Sequence, residues 1–267
     1  MERSFNLSSS MDGVPMEKEK RKCPPPNWRE VKEIYDPDRK WTGVAKWLKD
    51  FEDHKHPTAE KVFRGIMKIP LSIPFIRKAI NNSVGGTSGA IFKYWENGNY
   101  QAAYETALKK LNEERLRKGE GMLGNHFWWS FMEMACYSLG KLDSSGKKED
   151  LIAMMTGGPE PLLGYYVSTS FCYGALWHWE MGREIPALDL VRRARDADPT
   201  YEYAWYLLGS ISFSLKRDDA LSFLQKAIEL EPKTWSMILE DPVLSQELEV
   251  LRSLKEKALT KGIALKS

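Results

Sequence analysis

One spacing constrains this chain more than any other feature. Gly98, Gly140 and Gly182 fall 42 residues apart each time. Trp95, Tyr137 and Trp179 keep the same interval, each three residues before its glycine. The three stretches read YWENGNYQAA, CYSLGKLDSS and HWEMGREIPA. A fourth, shorter unit follows in ISFSLKRDDALSFLQKAIELEP, with Phe213 34 residues after Trp179 and Lys216 where the glycine would stand. A glycine ends a helix well because the chain there often needs a positive φ. Each unit therefore reads as helix, tight turn, helix, and a fixed period of this size predicts a stack of similar helical units. No alternating strand pattern competes with it.

The chain before the repeats divides in two. Residues 1–27 lack a periodic apolar face and read as a disordered tail. Residues 28–86 carry helical spacing: Trp28, Val31, Ile34 and Tyr35, then Trp41, Val44, Ala45, Trp47, Leu48 and Phe51. The stretch KVFRGIMKIPLSIPFIRKAI, 61–80, ends this extension. NNSVGGTSG at 81–89 reads as a flexible linker. At the far end, residues 233–267 read as a cap. Trp235, Ile238 and Leu239 are expected over the open end of the stack, sealed by a helix carrying Leu244, Leu248 and Leu251.

The repeats themselves, 87–232, resemble tetratricopeptide repeats. In FCYGALWHWEMGREIPALDLVRRARDADP, Phe171 matches the family's bulky fourth position and Ala175 its small eighth. Gly182 matches the turn, Ala187 and Ala194 the small positions of the second helix, and Pro199 the closing proline. The next unit matches through Trp205, Leu208, Gly209, Ala220, Ala227 and Pro232, with one residue fewer in the turn. The first matches over half a unit, through Tyr94, Gly98, Tyr100 and Ala103. The second unit departs from the pattern: KLDSSGKKEDLIAMMTGGPEP has no small-residue series for a second helix. A 42-residue spacing also exceeds the family's period of about 34. The resemblance implies an all-α fold, a right-handed superhelical stack of antiparallel helix pairs.

It also implies a surface. In such arrays the first helix of each pair lines the concave side, where members bind peptide segments. The twelfth position holds Trp95, Tyr137, Trp179 and Phe213, with Phe92, Leu176 and Tyr206 as neighbours. Aromatic rings suit binding hot spots, and they equally suit packing within the chain; both readings stand. The lysines and asparagines with which some members clamp a C-terminal carboxylate are absent, so an apolar partner segment fits better. The resemblance and these residues together predict a non-enzymatic scaffold or adaptor for a protein or peptide partner.

Charge narrows the alternatives. Residues 1–60 hold 12 basic and 12 acidic residues, 61–86 hold 5 and none, and 87–267 hold 22 and 25. The net charge of +2 thus comes from Lys61, Arg64, Lys68, Arg77 and Lys78. That basic face fits docking to an acidic partner or, as a peripheral element, to an anionic membrane. Basicity so confined does not suit a nucleic-acid binder. Neither a secretory leader nor a membrane span is visible. The odd, scattered Cys23, Cys136 and Cys172 suit a reducing compartment such as the cytoplasm. His54 and His56 lack partners at metal-ligating spacing, so no metal or other cofactor is expected. Asp36/Asp38 and Asp218/Asp219 read as turn residues, and Arg192, Arg193 and Arg195 as a solvated face. No nucleophile and base are set out for catalysis.

Overall fold

The computed structural model describes residues 84–116, 121–142, 144–159 and 164–265. These form ten α-helices and one short 3-10 turn, with no strand among the described residues. In order they are α1 Val84–Glu96, α2 Tyr100–Leu116, α3 Gly121–Leu142, α4 Ser145–Thr156, α5 Tyr165–Glu180, α6 Glu184–Ala197, α7 Glu202–Ser214, α8 Ala220–Leu230, α9 Thr234–Glu240 and α10 Leu248–Thr260. The 3-10 turn is Leu244–Gln246. The fold is all-α, built of antiparallel helix pairs. α5 packs along α6, and α7 along α8.

The turns follow from their chemistry. Gly98 and Gly182 adopt φ of 67° and 73°. In each turn the next amide reaches back five residues: Asn99 N to the Tyr94 carbonyl (2.8 Å) and Arg183 N to that of His178 (2.8 Å). This six-to-one bond is the Schellman ending, which satisfies a carbonyl the helix leaves open. The fourth unit repeats it without glycine. Lys216 takes φ of 54°, and Arg217 N donates to the Ser212 carbonyl at 3.0 Å. The expected turn at Gly140 is not there. α3 runs through it to Leu142. The linker expected at 81–89 is likewise helical from Val84 on, as the start of α1.

Close helix approach explains the small positions. Ala103, Ala175, Ala187, Ala194 and Ala227 are wholly buried. At Gly209 a Cβ would sit 2.7 Å from Leu224 Cγ and 3.0 Å from its backbone N, so α7 and α8 meet at a distance only glycine permits. Gly174 lets both Leu190 of α6 and Met155 of α4 close on α5. The second unit is built differently. α4 enters the core with Leu151, Ile152 and Met155 instead of alanines, and α3 lies along α2 more fully than along α4. Two ion pairs then pin α4 to the α5–α6 turn: Lys148 to Glu180 at 2.7 Å and Arg183 to Glu149.

The C-terminal end is closed by burying Trp235, Ile238, Leu244, Leu254 and Ala258. Two expected members face outward: Leu239 is 39% and Leu248 72% exposed. α10 turns Leu254 and Ala258 inward, four residues apart on one face. The closing device is Asp241, fully buried. Its Oδ2 accepts from the hydroxyls of Tyr206 (2.8 Å) and Ser210 (2.6 Å) on α7. Its Oδ1 accepts from Val243 N (2.9 Å) and Leu244 N (3.0 Å) at the 3-10 turn.

Candidate functional site

The helical register of α5 defines which of its faces looks away from its pair. Phe171 and Gly174 meet α6: the Arg193 guanidinium lies 4.4 Å from the Phe171 ring centre, and Leu190 crowds Gly174. Thr169, Tyr173 and Leu176 stand two residues on from or before these, on the opposite side. α3 flanks α5 through Trp129, whose ring meets Phe171 edge-on at 5.2 Å. α7 flanks it where Tyr201, at its start, meets Tyr165 at 5.2 Å. The face opposite α6 is therefore bordered by α3 and α7.

Tyrosines gather beside that face. Tyr165, Tyr201, Tyr203 and Tyr206 form a chain of rings with centres 5.2, 6.0 and 5.7 Å apart. Tyr173 stands beside them. Its hydroxyl is pushed well up by burial, then by the charge of Glu133 on α3 and by Tyr201 and Tyr165. Glu133 is only 2% exposed. The same carboxylate, after burial, raises the Cys136 thiol.

The seven concave-face residues named from the sequence distribute as follows. Trp95, Tyr137, Leu176, Trp179 and Tyr206 are buried, and Phe92 and Phe213 are half-buried. Trp95 and Tyr137, 42 residues apart, do touch: their ring centres lie 4.7 Å apart. The Trp95 indole N–H donates to Ser138 Oγ at 2.8 Å, and Phe92 meets Trp95 edge-on at 5.1 Å. Leu176 shares with Tyr173 the side of α5 turned away from α6. Tyr206 engages its hydroxyl with Asp241. The basic face of Lys61, Arg64, Lys68, Arg77 and Lys78 lies outside the described residues, as do His54 and His56. The arginines of α6 are not simply solvated: Arg193 covers Phe171 and Arg195 lies 5.7 Å from the Trp205 ring centre.

No family model matches the chain, and no curated protein matches it. Among solved structures, a crystal structure of MamA aligns at 16% identity over 64% of this chain and 95% of that one, with a TM-score of 0.43. A second MamA structure aligns at 16% identity over 69% and 98%, with a TM-score of 0.44. A likeness at that level transfers neither partner nor activity.

Sequence reasoning missed Glu133, Tyr165, Tyr173, Tyr201 and Tyr203. A signal was present: six of the eleven tyrosines lie within residues 165–206. Among the described residues no three His, Cys, Asp or Glu side chains gather as metal ligands. No described helix is long and apolar enough to cross a membrane.

Proposed function

We propose that this protein is a non-enzymatic scaffold that holds a segment of a partner protein along the inner face of its helix stack. One observation carries the reading: α3, α5 and α7 follow one another in direct contact, so their inner faces make a single surface with aromatic rings at its rims and a tyrosine–carboxylate centre. The resemblance to tetratricopeptide repeats supports it, since that family binds peptides on the corresponding side. Phe92 and Phe213 at the ends, with Trp95, Tyr137, Leu176, Trp179 and Tyr206 beneath, form the apolar floor. Rings give contact area at small loss of side-chain entropy, which is why they dominate interface hot spots.

The test is affinity purification of the full chain from native cells with mass spectrometry, wild type beside F92A and F213A, whose rings are half-buried. Loss of the same partners in both variants, at unchanged helicity, is expected. Partners that persist at full yield in both would overturn the reading.

A further inference from the structure

Two leucines of the closing helix take no part in the closing. Leu248 is 72% and Leu259 57% exposed, near the two ends of α10. The helix itself is firmly placed. Leu254 and Ala258 are buried on one face, and Lys261 pairs with Glu229 of α8 at 2.6 Å. Gly262, at φ of 72°, ends the helix, with Ile263 N donating to the Ala258 carbonyl at 3.0 Å. At about 100° per residue, Leu248, Arg252, Lys255 and Leu259 fall within about 60° of one another. Their steps of four, three and four residues are those of a coiled-coil seam. Arg252 and Lys255 are exposed like the leucines. Arg252 meets Glu249 of its own helix at 3.1 Å, with both side chains largely in solvent. Such a pair contributes little and gives way readily. The seam stands about a quarter to a third of a turn from Leu254 and Ala258, so it is a face of its own.

We infer that this seam docks one helix of a partner protein, with apolar side chains against Leu248 and Leu259 and carboxylates against Arg252 and Lys255. Charge selects that occupant over two others. A second copy of α10 laid antiparallel, Leu248 against Leu259, sets Arg252 against Lys255. Laid parallel, it sets each cation against its own copy. Like charges meet at the centre either way, which an interface avoids. An anionic membrane is a broad surface and meets the flank as well as the seam. Glu249 and Glu256 stand about 40–60° beyond Arg252 on the same helix, where they repel it, and two cations alone hold poorly to such a surface. A single helix is narrow enough to touch the seam. The leucines lie about 16 Å apart along the axis, three turns of the partner. The matching pattern is apolar, acidic, acidic, apolar at steps of four, three and four, which reads the same from either end. This surface is distinct from the inner face and needs none of its residues.

The probe is a side-chain-stapled, alanine-rich helical peptide of about 18 residues. It carries leucine, glutamate, glutamate and leucine at that spacing, and a twin carries lysines for the glutamates. Fluorescence anisotropy with the full chain reads binding. The glutamate peptide should saturate below about 1 mM. It should weaken at least tenfold against L248S/L259S and against R252E/K255E. All four positions are exposed, so both variants should keep wild-type helicity. The lysine twin should bind R252E/K255E at least tenfold better than wild type. F92A and F213A should leave these results unchanged, which separates failure here from failure of the inner-face reading. No saturation, equal binding to wild type and either variant, or a twin indifferent to the charge reversal would overturn the inference. Two other results would overturn it where the peptide does not bind: dimerisation, or flotation with phosphatidylserine vesicles, that L248S/L259S abolishes. They would name a second copy or a membrane as the occupant.

Discussion

Replacing Asp241 tests how the open end of the stack is held. The carboxylate accepts four hydrogen bonds, two from buried hydroxyls on α7 and two from amides of the 3-10 turn. Burial, and then the Asp241 charge, push the Tyr206 hydroxyl well above its ordinary value, so it remains the donor throughout the accessible pH range. In D241A the hydroxyls of Tyr206 and Ser210 and the amide of Leu244 lose their acceptor at sites with almost no solvent. Each stranded group costs about 1–3 kcal/mol, offset in part because a buried charge disappears. The expected net loss is about 3–4 kcal/mol. D241N separates shape from charge. Its remaining oxygen keeps the two amides while its NH2 faces Tyr206 and Ser210, whose hydroxyls rotate to accept. The loss should then be about 1 kcal/mol. Urea unfolding followed by circular dichroism reads both midpoints at a common slope. Hydrogen exchange should show faster opening of α9 and the 3-10 turn in D241A. If D241A lies within about 0.5 kcal/mol of wild type, or D241N is as damaging as D241A, the hub does not hold the cap.

Two further outcomes follow from local geometry. Lys216 holds a positive φ where the equivalent turns use glycine, so K216G should stabilise the protein by up to about 1 kcal/mol; relief of strain exceeds the added freedom of the unfolded chain. A lower melting temperature in K216G would contradict this. His178 is buried, and burial, followed by the Arg183 charge, lowers its pKa below 6.5 against an opposing pull from Glu149. The unfolded chain therefore binds a proton that the folded one refuses. Stability should be full above the unfolded value and fall as the pH drops through about 6.5 towards the lowered folded pKa. The melting temperature should decline from pH 7 to pH 5.5. H178L should flatten that decline, and an equal slope in both proteins would refute the assignment.

The third and fourth units were readable because their constraints are local. Gly182, Ala187, Ala194, Ala220 and Ala227 each answer a steric demand set within one helix pair. Even Lys216 was placed correctly, since the turn geometry belongs to the spacing and not to the glycine. Gly140 misled for the complementary reason. Spacing alone marked it as a turn, yet nothing after it breaks the helix until Leu142, and glycine inside a helix costs only about 1 kcal/mol. Asp241 read as part of a cap, but its partners Tyr206 and Ser210 lie 35 and 31 residues away. Such pairings have no periodic signature. The same holds for the tyrosine–carboxylate centre, whose members come from α3, α5 and the start of α7.

Glu133 links the missed helix pairing to the missed site. It stands 42 residues before Ala175, at the position where the later units place a small residue between paired helices. A glutamate there is too large, and too strongly hydrated, to lie in a close helix–helix contact. α3 and α4 accordingly do not pack as α5 and α6 do, and α3 lies along α2 instead. The carboxylate acts on Tyr173 across the α3–α5 border. One substitution in the repeat pattern thus explains why the second unit was illegible. A local rule broken without a compensating gain in packing is expected where a site is being built. E133A should distinguish the two roles. If Glu133 merely spoils the pairing, alanine should stabilise the protein and leave Cys172 as unreactive as before. If it holds the α3–α5 border together, alanine should lower the stability and raise Cys172 reactivity several-fold.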